Sequence, residues 1–167
     1  MAGKRFKGLL GWVLMLALFL GIQSFASRGL VTGSAPEIHA VSLDGQNHPG
    51  LAALPRPAVV YFWASWCSIC RAMQGVVQDI SQDTPVLTIA TQSGSPAEVA
   101  KYLKETGFSV PVAVDEDGAV GAAYGLRGVP AVFIVDADGA IRYTMTGYSS
   151  AAGLRLRLWL TTHLPKP

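Results

Sequence analysis

Ala58-Val59-Val60-Tyr61-Phe62-Trp63-Ala64-Ser65-Trp66-Cys67-Ser68-Ile69-Cys70 sets two cysteines directly behind an unbroken apolar run, and the chain of 167 residues holds no others. Six consecutive apolar residues suit a strand buried on both faces. From Cys67 the pattern changes to a helix, with Met73, Val76, Val77 and Ile80 at i, i+3, i+4 and i+7 as one inward face. Thiols spaced i, i+3 at a helix start can close a disulfide within about one turn. The first thiol also lies where unpaired N–H groups and the positive end of the helix dipole favour a thiolate. A four-residue loop removes little unfolded-state entropy, so such a bond is a poor staple and a good reversible switch. The alternative, half of a Cys-x-x-Cys zinc site, lacks a second pair, and His39, His48 and His163 have no ligand spacing.

Working outward, Val86–Ala90 reads as the next buried strand. Ser95-Pro96 opens a helix over Ala97–Thr106 that Gly107 stops. Val110–Val114 is a short strand and Ala119–Tyr124 a short helix. Ala131–Val135 and Ile141–Thr146 form a hairpin across Asp136-Ala137-Asp138-Gly139, and Ala151–His163 a last helix with Leu154, Leu158 and Trp159 inward and Arg155 facing water. Upstream, Pro36–Leu43 alternates weakly and ends at the turn signal Asp44-Gly45. Strands alternating with helices predict an α/β fold, a mixed β-sheet with helices on both faces, the hairpin supplying its antiparallel part.

The N-terminus is of another kind. Lys4, Arg5 and Lys7 form a basic tip over residues 1–7, expected to be cytoplasmic. Gly8 to Ala26 is then a run of 19 uncharged residues. That is about the ~20 residues an inner-membrane-spanning helix needs, oriented with its basic flank inside and everything after Arg28 exported. Small residues at Ser24-Phe25-Ala26 fit a cleaved signal peptide instead. Residues 27–35 read as a Gly/Ser linker and 36–165 as the folded domain. Either way the domain is exported, to the periplasm. The +2 formal charge belongs to the leader: beyond residue 27 ten Lys/Arg face eleven Asp/Glu, near neutrality at −1. No basic stripe remains for nucleic acid.

Phe62–Cys70 resembles the active-site segment of the thioredoxin superfamily, and Gly128-Val129-Pro130-Ala131-Val132-Phe133-Ile134-Val135-Asp136 resembles its proline-bearing strand. The extra unit at about 95–114 and the leader resemble the exported TlpA/ResA/DsbE branch, and within it the disulfide oxidoreductases of copper-sensitivity suppressor operons. The resemblance implies a thioredoxin-like fold and a protein thiol–disulfide oxidoreductase, with Cys67 as nucleophile and Cys70 as resolving thiol. It implies no cofactor beyond the redox-active disulfide, and as partners thiol-bearing periplasmic proteins and a membrane redox partner. It further implies a cis Pro130 facing the cysteines, backbone pairing of substrate with Val129, and Trp66 as part of the docking face, with core packing as the alternative for Trp66; Arg127-Gly128 before them either shapes the substrate groove or, for Arg127, is a solvated loop charge.

Two positions depart from that pattern. Where thioredoxins carry a buried acid this chain has Tyr61, and where much of the branch carries a glutamate it has Met73. With both acids missing and Arg71 beside the pair, the thiolate of Cys67 is favoured and the disulfide is expected to be the more oxidising. A dedicated reductant for cytochrome c maturation and a Cu(I)-binding chaperone using the two thiols as soft ligands are the alternative functions.

Overall fold

The computed structural model describes residues 29–164 together with Trp12 and Met15. The run Gly8–Ala26, expected to be a membrane anchor, otherwise lies outside the described residues. Among those residues no helix is long and apolar enough to cross a membrane.

Six strands form one mixed sheet: β1 (Gly33–Ser34), β2 (Ala58–Trp63), β3 (Val86–Thr91), β4 (Val112–Asp115), β5 (Ala131–Val135) and β6 (Ala140–Thr146), in the order β1-β6-β5-β2-β3-β4. β2, β3 and β4 run parallel, while β5 is antiparallel to β2 and to β6. Four helices connect them: α1 (Ser68–Ser81), α2 (Pro96–Thr106), α3 (Ala119–Ala123) and α4 (Ala151–His163). Every residue of β2, β3 and β5 is buried, because helices or loops cover both faces of the sheet. Side chains alternate accordingly. Tyr61, Trp63, Val132 and Ile134 join Met73, Val77, Ile80, Val99, Leu154 and Leu158 from α1, α2 and α4 on one face. Val60, Phe62, Leu87, Ile89 and Phe133 meet Val120 and Tyr124 on the other. There Phe62, Tyr124 and Phe133 pack tilted or edge-on, with ring centroids 4.9–5.6 Å apart.

Four expectations are corrected. Pro36–Leu43 forms no extended strand: only Val41 bridges, to Asn47 and Val114, although the turn at Asp44-Gly45 is present. The sheet takes its first strand instead from Gly33–Ser34, in the segment read as linker, because β6 leaves a free edge that this backbone pairs with. β4 starts at Val112 rather than Val110, since Pro111 has no N–H for the ladder and contributes only its carbonyl, to Thr88 N at 2.9 Å. Trp159 is 53% exposed and stacks on His163. One residue on from buried Leu158 it lies about 100° around the helix, off the core stripe. Val76, read with Met73, Val77 and Ile80 as the inward face of α1, is half-buried and packs against the same core cluster as they do. Arg155 is exposed as expected and bridges Asp79 and Asp83, tying α4 to the end of α1.

The start of α2 shows how local chemistry fixes an element. Ser95 Oγ accepts from Glu98 N, and Glu98 Oε2 accepts from Ser95 N at 2.8 Å, a reciprocal capping box with Pro96 at the first helical position. The Ser95 N–H, and then its hydroxyl, hold the Glu98 carboxyl below its ordinary value of 4.5. Ser95→Ala is expected to cost about 1 kcal/mol at pH 7, measured as a shift in urea midpoint. Because the folded-state value is depressed, the carboxylate's contribution is present above the ordinary value and lost as pH falls through the folded one. The gap between the two proteins should therefore narrow as the pH is taken well below that ordinary value.

Candidate active site

The parallel strands β2, β3 and β4 end at one edge of the sheet, and β5 begins there, since Phe62 pairs with Ala131. The turns leaving these strands therefore converge, and that convergence builds the site. Cys67 is the N-cap of α1, and its Sγ accepts the Cys70 N–H at 3.1 Å. The helix thus spends one of its otherwise unpaired N–H groups on the sulfur that a thiolate would occupy. Cys67 and Cys70 are joined by a disulfide, with Cα atoms 5.2 Å apart. Cys67 keeps 8% of its surface exposed and Cys70 1%, so an incoming thiol meets Cys67 first.

Across from the pair lies the turn into β5. Val129–Pro130 is a cis peptide, and Val129 O stands 3.6 Å from Cys67 Sγ. In the disulfide this is a contact between a carbonyl and sulfur; in the dithiol the same carbonyl can accept from a Cys67 thiol. Val129 is half-buried and Pro130 buried. Pro130 O in turn accepts from Gly147 N at 2.9 Å, which fastens the loop after β6 to the same edge.

The three residues singled out from sequence as tuning the pair occupy distinct places. Tyr61 is fully buried on β2 and its hydroxyl donates to Cys70 O at 3.2 Å. Burial, with Tyr102 nearby as a second cause, pushes its phenol far above its ordinary value, so the group is a neutral donor throughout the physiological range. Met73 is fully buried in the core beneath α1. Arg71 is exposed, with its backbone N–H on Cys67 O at 3.1 Å. Its side chain makes no ion pair among the described residues. The positions expected to lack acids thus hold a neutral hydroxyl and a thioether packed in the core.

Trp66 is 66% exposed, not packed in the core, and its indole N–H donates to Gln92 O at 3.0 Å. Gln92 belongs to the turn after β3, where Ser93 Oγ also accepts from Ser65 N at 3.0 Å. Gln92 N is held by Asp115 O, at the end of β4. Ile69, between the two cysteines, is an exposed large apolar side chain as well, and so is Tyr148, the residue after the Gly147 that Pro130 O holds. None of Ile69, Gln92, Ser93, Asp115 or Tyr148 stands out in the sequence as a site residue. Ile69 alone carries a signal there, as an apolar residue inside the Cys-x-x-Cys motif at an exposed helix start.

No group of three or more His, Cys, Asp or Glu that could hold a metal is found among the described residues. A thioredoxin-like mixed sheet with an N-capping cysteine disulfide facing a cis-proline turn defines a protein that exchanges disulfides. The chain belongs to the Redoxin family, whose pattern it matches over residues 31–154. It is 31% identical over 150 residues to the thiol:disulfide interchange protein DsbE of Pseudomonas fluorescens biotype C, covering 81% of this chain and 83% of that one. With the thiol-disulfide oxidoreductase ResA of Geobacillus thermodenitrificans it shares 25% over 156 residues, 87% and 90% of the two chains. Among solved structures it is similar to MTB dsbF in its mixed oxidized and reduced forms, at 26% identity and a TM-score of 0.65 over 75% of this chain and 95% of that one. The protein is a thiol–disulfide oxidoreductase of the DsbE/ResA type.

Proposed function

We propose that this oxidoreductase is anchored in the inner membrane by residues 8–26, works in the periplasm on cysteine-bearing proteins, and acts as a disulfide donor. The observation that carries the direction is the setting of Cys67. Its sulfur accepts a helix N-terminal N–H at 3.1 Å, and Tyr61 and Met73 put no negative charge beneath it. Both favour the thiolate, hence the reduced protein, and a stabilised dithiol form makes the disulfide the stronger oxidant.

In the forward reaction a substrate thiolate attacks Cys67 Sγ, and the Cys67–Cys70 bond breaks with its electron pair leaving on Cys70, which takes up a proton. A second substrate thiolate then attacks the substrate sulfur of the mixed disulfide and releases Cys67 as thiolate. The substrate loses two electrons and two protons; the cysteine pair takes both electrons, Cys70 one proton as a thiol and Cys67 none as a thiolate, and the other proton goes to solvent. The edge formed by Val129, with its carbonyl 3.6 Å from Cys67 Sγ, receives the substrate backbone. Pro130 shapes the turn, and the exposed Trp66 and Ile69, flanking Cys67, give an apolar surface on which a partly unfolded chain can rest. Arg71, exposed beside α1's first turn, adds positive potential.

The deciding experiment is the equilibrium potential of the Cys67–Cys70 pair in glutathione buffers. A value above about −180 mV is expected for a disulfide donor. A value near or below about −250 mV would make the protein a reductant and overturn the direction proposed here.

A further inference from the structure

Beside the disulfide, residues 29–31 help to enclose a cavity that the exchange steps leave unused. Val31 N donates to Tyr124 O at 3.2 Å. Gly125, with φ +71°, lies so close to the Gly29 carbonyl that any side chain there would overlap it. These two contacts hold the segment against the turn after α3, and Leu30 between them becomes a wall of a cavity of about 290 Å³. Val129 and Pro130 line the same cavity, and the Val129 carbonyl is the group 3.6 Å from Cys67 Sγ. The cavity therefore adjoins the edge that receives substrate. Its volume lies just under the ~300–1,000 Å³ of small-molecule sites and suits a peptide side chain.

One charge faces this space. Arg127 is the only charged residue that lines it. Arg127 is exposed and makes no ion pair among the described residues. Its guanidinium lies alongside Gly29, where a side chain would meet it at 3.4 Å. An aspartate or glutamate fits such a surface best. Its methylenes can lie on Leu30 and Pro130 while its carboxylate meets the guanidinium fork in two parallel hydrogen bonds. A lysine would set like charge against like, and a purely apolar side chain would cover the guanidinium without pairing it. Arg127 precedes Val129 by two residues. A substrate strand paired at Val129 thus brings to Arg127 a residue about two or three positions from the reacting cysteine, ~7–10 Å of extended chain.

We propose that this cavity is a subsite for an acidic side chain near the substrate's reacting cysteine, with Arg127 as its specificity-determining residue. This specificity rests on the disulfide-exchanging reading of Cys67 given above and holds for either direction of electron flow. Proteins with Asp or Glu close to the cysteine are exchanged first, and those with Lys or Arg there last.

The test uses the full chain carrying Cys70→Ser, reduced and in non-ionic detergent, with peptides whose one cysteine is a 2-pyridyl disulfide. The Cys67 thiolate attacks the peptide sulfur, the peptide's S–S bond breaks, and pyridine-2-thione leaves with the electron pair and is read by absorbance. Glu or Lys is placed in turn at each of the three positions on either side of the cysteine, and at the sixth, in an otherwise neutral peptide. Each rate is divided by that of the same peptide with 2-mercaptoethanol, which removes the peptide's own reactivity. The Glu-to-Lys ratio should reach about 10-fold at a near position, where attraction is exchanged for repulsion. It should fall to within about 2-fold at the sixth position, and at every position in ~1 M salt. Arg127→Glu should invert the ratio, and Arg127→Gln should bring it close to one. Ratios taken within one protein are not imitated by a loss of stability. An unchanged ratio in Arg127→Glu, or the same ratio at every position, would overturn the subsite while leaving exchange at Cys67 intact. No reaction with any peptide would overturn the Cys67 reading and the subsite with it.

Discussion

Replacing Cys67 with serine should abolish disulfide exchange, by at least about 10³-fold against a dithiol peptide, while leaving the fold intact. The serine hydroxyl in the Cys67→Ser protein can still accept the Cys70 N–H, so the cap on α1 survives the change. What disappears is the one sulfur with surface open to an incoming thiol, because Cys70 keeps only 1% of its surface exposed. Cys70→Ser should behave differently. Cys67 can still attack, but nothing resolves the mixed disulfide, so the protein accumulates covalently joined to its substrate. Non-reducing electrophoresis after mixing with an oxidised peptide distinguishes the two. Equal trapping by both variants would reverse the roles assigned to the cysteines.

The second large effect is expected at a residue that never touches the disulfide. Asp115 is buried at the end of β4, and its carboxylate accepts from Val120 N and Gly121 N, both at 2.9 Å, and from the Thr91 hydroxyl at 2.6 Å. It caps α3 from a distance and stitches β3 to β4. Asp115→Ala strands three buried donors at once, and each lost bond to a charged acceptor is worth about 1.5–3 kcal/mol. Allowing for water reaching the gap, a loss of about 3–5 kcal/mol is expected in urea unfolding at pH 7, near the top of the range for single substitutions. Asp115→Asn keeps one acceptor oxygen and should fall between. Because Gln92 N is bound to Asp115 O and Gln92 O to the Trp66 indole, a loosened β4 end should also free Trp66. Its fluorescence would then change in Asp115→Ala before global unfolding. The potential of the cysteine pair should stay unchanged, since Cys67 is held by α1's own backbone.

Tyr61 illustrates how a position can be marked in the sequence and yet be understood only in the fold. Spacing shows that an aromatic residue stands where the resemblance would put an acid. That its hydroxyl reaches Cys70 O at 3.2 Å follows from the packing of α1 across β2, nine residues away along the chain.

What the sequence determined by itself is everything governed by neighbours along the chain. The buried strands follow from apolar runs, α1 from its heptad-like stripe, α2 from its cap and its Gly stop, and the disulfide from two thiols three residues apart at a helix start. Those forces act within about one helical turn or one strand, so their signature is local. Only the tertiary structure decided what joins distant segments. Val129 O meets Cys67 Sγ across 62 residues, Gln92 O holds Trp66 across 26, and Leu30 shares a cavity wall with Pro130. The same holds where local patterns misled: Gly33–Ser34 became a strand because β6 had an edge to fill, and Trp159 turned outward because Leu154 and Leu158 already set the buried stripe of α4. Pairing across the sheet and competition for a finite core depend on which surfaces the finished fold brings together, and no spacing along the chain records that.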